Sequence, residues 1–324
     1  MPVSESSGAE LGAGVDTHRI EVPAGLVAYH DMHNATWDPA WISKLPDLAA
    51  SFLERWELRP DGPGAHGMIA LVLPVVRADG TPAALKLQPV TEDNVDEPLA
   101  LRTWNGQGAV RLLDHDPETG TMLLERLDGQ RSLSSVPDDM AALQILAELL
   151  ARLVATPAPR GVRTLDGIAR GMLDHLPRAL PALPDPGHRE LLRTCAAAVR
   201  ELVGEPGDRL LHWDLHYDNV LASPPSSGRE PWLAIDPQPI SGDPAFELLP
   251  ALDNRWEEVV ATGDVARAVR RRFDLVTEVL DLDRRRAVGW TLGRVLQNCL
   301  WDVEDGHTAL NPVQVAIAEA VLAI

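Results

Sequence analysis

From residue 210 the chain reads LLHWDLHYDNVL (Leu210 to Leu221), then the polar turn ASPPSSGREP (Ala222 to Pro231), then WLAIDPQP (Trp232 to Pro239). Within it His212, Asp214 and Asn219 have H-x-D-x-x-x-x-N spacing, and Asp236 ends the next apolar run. Phosphoryl transfer needs such a grouping. One carboxylate orients and deprotonates an attacking hydroxyl; an amide and a second carboxylate hold Mg²⁺ against nucleotide phosphates. The stretch therefore predicts an ATP-dependent kinase. Asp214 is its candidate base and Asn219 and Asp236 its metal ligands. His212 is expected to support the loop from the core, and His216 to face substrate.

Upstream, the order of features agrees. DGPG (Asp61 to Gly64) opens a Gly-rich turn, with Gly64 and Gly67 as candidate phosphate-cover residues, and predicts a strand near Met68 to Val76. Asp79-Gly80 reads as a hairpin before a strand near Ala83 to Leu87. That strand contains Lys86, one of only two lysines in the chain. A lone ammonium in AALKL needs a partner. Glu97, early in a helix expected over Asp93 to Trp104, can supply it and leave Lys86 facing the nucleotide phosphates. Strands near Ala109 to Asp114 and Thr121 to Leu127 complete a small sheet.

The rest is mainly helical. A helix over Pro39 to Trp56 precedes the sheet, and Asp138 caps another with Met140, Leu143, Leu146, Leu150 and Leu153 in period 3.6. Six prolines between residues 155 and 187 leave room only for short helices there. Further helices are expected over Arg189 to Val203 and near 244–260, 264–280 and 284–305. The fold class is α+β and bilobal, with a β-rich N-terminal lobe over 1–127 and a larger helical lobe over 128–324.

Composition narrows the partners. The formal net charge is −19, from 48 acidic and 29 basic residues, which disfavours nucleic acid. No apolar run is long enough to span a bilayer, the N-terminus has no signal core, and Cys195 and Cys299 are the only cysteines. The expectation is a cytoplasmic protein without membrane partners, with residues 1 to about 17 as a frayed tail.

HWDLHYDNVL with IDPQP, together with TPAALKL, LALRTWNGQGAVRLL and TMLLERLDG, resembles the aminoglycoside phosphotransferase branch of the protein-kinase-like fold. The likeness is strongest to the streptomycin 6-kinase and hydroxyurea-resistance group and covers about residues 50 to 305. WTLGRVLQNCLWDVEDG, Trp290 to Gly306, is most similar to actinobacterial glucosamine kinases. The resemblance implies ATP and Mg²⁺ as cofactors, Lys86 and Glu97 as the phosphate-binding pair, and Glu125-Arg126-Leu127 as the hinge for adenine. Trp213 stands where many protein kinases have arginine, Asp236-Pro237-Gln238 replaces D-F-G, and no A-P-E segment follows. A small acceptor is expected.

At 100° per residue, Gln297, Asn298, Trp301, Asp302, Glu304 and Asp305 share one arc of the last long helix. An aromatic plate among amides and carboxylates suits an amino sugar. Glucosamine, phosphorylated to glucosamine 6-phosphate, is the leading expectation. Alternatives are a streptomycin-type aminoglycoside kinase conferring resistance, a catalytically silent nucleotide-binding protein, and a metal-dependent hydrolase that would give Lys86 no role.

Overall fold

The structure, a computed structural model, describes residues 20–32, 38 and 40–324. The expected tail lies outside them, as does Pro39. The described residues fall into two compact units, one of those up to 81 together with 87–89, the other of 82–86 with 90–324.

In the first unit, α1 (Ala24–Met32) and α2 (Trp41–Arg55) precede β1 (Arg59–Pro60), β2 (Ala65–His66) and β3 (Leu71–Val76). Helix α2 buries Leu45, Ala49 and Phe52, which share one face. Strand β3 pairs antiparallel with both β1 and β2 and buries Leu71, Leu73 and Val75 in strict alternation. It starts three residues later than expected because Gly67 to Ala70 form the β2–β3 turn, closed by Gly67 N–H donating to Ala70 O at 3.0 Å.

The second unit begins with β4 (Pro82–Leu87, to Lys86), α3 (Glu97–Trp104), β5 (Leu112–His115) and β6 (Met122–Glu125). Strand β6 pairs antiparallel with β4 and β5, placing Lys86 opposite Met122. There follow β7 (Asp128–Ser132), α4 (Asp139–Val154), β8 (Arg163–Thr164), α5 (Leu165–Ala179), α6 (Pro186–Leu202) and β9 (Arg209–Leu211). Asp138 caps α4 as expected, accepting from Ala141 N–H, and the leucine stripe of α4 is buried.

Next come β10 (Val220–Ala222), β11 (Trp232–Ala234), β12 (Ile240–Gly242), α7 (Leu248–Asp253), α8 (Trp256–Ala261), α9 (Val265–Val279), α10 (Arg284–Glu304) and α11 (Pro312–Leu322). Strand β10 lies between β7 and β11, and β12 lies between β8 and β9. The two sheets hold either end of the H-x-D loop. Helix α10 is buried along most of its length and packs against α5, α6 and α11.

Two expectations are corrected. The proline-rich region carries α5, a helix of 15 residues, because residues 160–176 hold no proline and Pro177, which has no N–H to donate, comes only near its C-terminal end. The helix expected near 244–260 is broken: Arg255 takes φ 47° and separates α7 from α8. Helices α1 and α11 and the short strands β1, β2, β7, β8 and β12 have no counterpart among the expected elements. Among the described residues no helix is long and apolar enough to cross a membrane.

Candidate active site

Lys86 projects from β4 and meets two carboxylates that are distant in sequence. Its Nζ donates to Glu97 Oε1 and Oε2 at 2.8 and 2.9 Å and to Asp236 Oδ1 at 2.8 Å. The lysine and Glu97 side chains are 3% and 1% exposed, whereas Asp236 is 38% exposed. Burial opposes the ammonium charge, but Asp236 and Glu97 outweigh it and push Lys86 up to about 12. The lysine is therefore a fixed cation. Glu97 anchors it from the first turn of α3, and Asp236, at φ 56°, turns a more open carboxylate towards it.

The loop between β9 and β10 is fixed by its backbone. His212 is buried, and its Nε2–H donates to Ile235 O at 2.9 Å. Burial lowers it to about 4, so it serves as a neutral support, as its spacing suggested. Trp213 takes φ 68°, rare for a bulky residue. Asn219 Nδ2 donates to Asp214 O at 2.9 Å and approaches Asp214 Oδ2 at 3.4 Å, which ties both ends of the loop together. Gln238 Nε2 reaches Asp214 Oδ2 at 3.5 Å and His216 Nε2 lies 3.9 Å from it. Burial raises the Asp214 carboxyl, and His216 and then Arg294 act to lower it.

Asp214 opens into a cavity of about 370 Å³, within the size range of small-molecule sites. Its other walls come from His216, from Leu249, Pro250, Asp253, Asn254 and Arg255 around the α7–α8 break, and from Arg294 and Asn298 of α10. Burial pushes Asp253 up to about 6 and Arg294 down to about 10. Two carboxylates, two guanidiniums and the amides of Asn254 and Asn298 give the cavity a polar lining.

The remaining sequence candidates are placed as follows. Gly64 and Gly67 belong to the first unit, flanking β2. Glu125 ends β6; its Oε1 accepts from Arg111 N–H at 2.7 Å and from the buried Arg229 guanidinium. Leu127 is buried and lies between β6 and β7. On α10, Asn298 lines the cavity, but Gln297 is buried and its Oε1 accepts from Arg294 at 2.8 Å. Trp301 is 43% exposed, with its ring 6.2 Å from that of Trp213. Glu304 pairs with His175 Nδ1 at 2.8 Å; Asp302 is half-buried and Asp305 exposed, and neither lines the cavity.

Asp253, Asn254 and Arg294 escaped sequence reading. The first two sit at a helix break between apolar segments, and Arg294 lies one turn before Gln297, where the polar arc on α10 begins. The one available signal was the polar pair Asp253-Asn254 interrupting LLPAL.

The oxygens of Asn219 and Asp236 form a hard donor set that fits Mg²⁺ bound to nucleotide phosphates. Asn219 spends its NH₂ on Asp214, which leaves Oδ1 as acceptor, and Asp236 Oδ2 is not taken by Lys86.

Residues 55–306 match the family described as "Aminoglycoside/hydroxyurea antibiotic resistance kinase". The chain is 59% identical over 302 residues to the streptomycin 6-kinase of Streptomyces glaucescens, covering 93% of this chain and 97% of that protein. It is 55% identical over 305 residues to the hydroxyurea phosphotransferase of Kitasatospora aureofaciens, covering 94% and 86%. Among solved structures it is similar to a thermostable mutant of the aminoglycoside phosphotransferase APH(4)-Ia in ternary complex with ADP and hygromycin B. The TM-score is 0.57 at 16% identity, over 85% of this chain and 97% of that one, which shows a shared fold.

Proposed function

We propose a streptomycin-type kinase, from the premise that the chain belongs to the aminoglycoside/hydroxyurea antibiotic resistance kinase family and is a phosphotransferase acting on a hydroxyl group. The fold is α+β and protein-kinase-like, and membership of a kinase family carries ATP as donor. The glucosamine acceptor expected from Trp290 to Gly306 has no support among these relatives. The streptomycin alternative has strong support.

One observation of the site carries the reading: Asp214 opens into the cavity that Asp253, Asn254 and Asn298 line. In the reaction proposed, the acceptor hydroxyl lies against Asp214, which orients it and takes its proton. The new oxygen–phosphorus bond forms as the bond between the γ-phosphorus and the β–γ bridging oxygen breaks, and ADP leaves. Lys86, held by Glu97, stabilises the phosphates, and the Leu127 backbone receives adenine, with Glu125 fixing the hinge. Asn219 and Asp236 would hold Mg²⁺, which would neutralise phosphate charge. Gly64 and Gly67 are proposed to cover the phosphates. His216, Asp253, Asn254 and Asn298 bind the acceptor, with Trp301, Asp302, Glu304 and Asp305 outside this set. We retain the two lobes, 1–127 and 128–324, as the functional division.

Incubating the protein with ATP, Mg²⁺ and streptomycin and weighing the product tests the proposal. The expected product is streptomycin carrying one phosphoryl group, formed with equimolar ADP. Unmodified streptomycin beside phosphorylated glucosamine or hydroxyurea would transfer the site to another acceptor.

A further inference from the structure

Arg294 is a buried charge that lines the acceptor cavity near Asp214 and has no direct part in the steps above. It is 6% exposed and, among the described residues, forms no ion pair within 4.0 Å. A desolvated cation of this kind is costly unless its surroundings are specific. Here they are. Nη1 donates to Gln297 Oε1 at 2.8 Å and Nη2 to Trp213 O at 3.1 Å. The guanidinium lies 5.2 Å from the Trp213 ring and 5.6 Å from those of both Phe246 and Trp301.

The carbonyl that Arg294 holds belongs to the residue immediately before Asp214. Trp213 is in the left-handed region, where a bulky side chain stays only if its surroundings fix it. It is held from both sides. Its N–H donates to Glu247 Oε1 at 2.8 Å, its carbonyl accepts from Arg294, and its indole lies near two guanidiniums, with Arg163 at 4.8 Å. We infer that Arg294 is the positioning residue of the catalytic loop: by holding the Trp213 carbonyl and indole, it sets the direction in which Asp214 enters the acceptor cavity. This rests on the kinase reading of Asp214. A lysine cannot replace it fully, because one ammonium lacks the planar fork that reaches two acceptors while stacking on the rings.

The test is steady-state kinetics with ATP and streptomycin on Arg294→Met, Arg294→Lys and Asp214→Asn, with nucleotide affinity measured by calorimetry. Arg294→Met should lower kcat about 100-fold, the scale of an ångström's misplacement, with both KM values and ATP affinity within about threefold. Arg294→Lys should recover part of the kcat. Wild-type kcat in a folded variant, or a loss confined to the acceptor KM, overturns the inference. If Arg294→Met does not fold, Arg294→Lys decides by the same criterion: a kcat deficit at unchanged KM supports it. The two readings separate through Asp214→Asn. Full turnover in that variant removes the base and this inference with it, whereas an inactive Asp214→Asn beside fully active Arg294 variants removes the inference alone.

Discussion

Asp214 and Asp253 face the same cavity but are proposed to do different work, and their substitutions should separate in kinetics. Asp214→Asn keeps the loop's shape and removes the base, so kcat should fall by roughly 100-fold or more while ATP affinity, measured by calorimetry, holds. Asp253→Asn touches only acceptor binding, so the streptomycin KM should rise about tenfold with the ATP KM unchanged. An equal rise in both would place Asp253 outside the acceptor site. Asp214 and Asn219 could be proposed from the H-x-D-x-x-x-x-N spacing and Asp236 from the end of the next apolar run, while Lys86 stood out as a lone ammonium in an apolar strand. Arg294 and Asp253 were not legible in this way, since nothing local marks a helix residue as facing a loop some 40 or 80 positions away. Gln297 shows the converse: helical phase placed it on the polar arc, but its nearest neighbour, Arg294, turned it inward.

At the scale of elements, the catalytic loop is braced by the segment leading into α7 and by α10. The first brace, Glu247, is fully buried, and burial pushes its carboxyl from 4.5 up to about 7. A raised folded value means that the neutral acid is favoured in the native state. Its contribution is complete below pH 4.5 and lost as pH rises through about 7. Over that interval Glu247 should remove on the order of 3 kcal/mol of stability, and Glu247→Gln should flatten that part of the Tm-against-pH curve. An unchanged slope would contradict the assignment. Capping and periodicity located α4 from sequence, as the Asp138 side chain and the leucine stripe confirm. Prolines misled for α5, because their spacing and not their number decides: residues 160–176 hold none, which leaves room for most of a 15-residue helix. The α7–α8 break depends on Arg255, which is held by the Ser134 and Val136 carbonyls, and those long-range bonds have no local sequence signal.

For the whole molecule, a strand lysine, a helix glutamate and a loop aspartate from three separate parts of the sequence converge on one ammonium. Such convergence suits a shared phosphate site; the Lys86–Glu97 pair was expected from the order of motifs, whereas the Lys86–Asp236 pair was not. Acceptor choice was not legible in the sequence, because the residues that line the cavity are drawn from loop, helix break and helix together. The most direct measurement is ADP release by the wild-type protein, with streptomycin, glucosamine and hydroxyurea each titrated to give kcat/KM. Streptomycin should exceed both others by at least about 100-fold, the discrimination expected of a site built around a substrate's polar groups. Turnover of glucosamine at or above that of streptomycin would contradict the account.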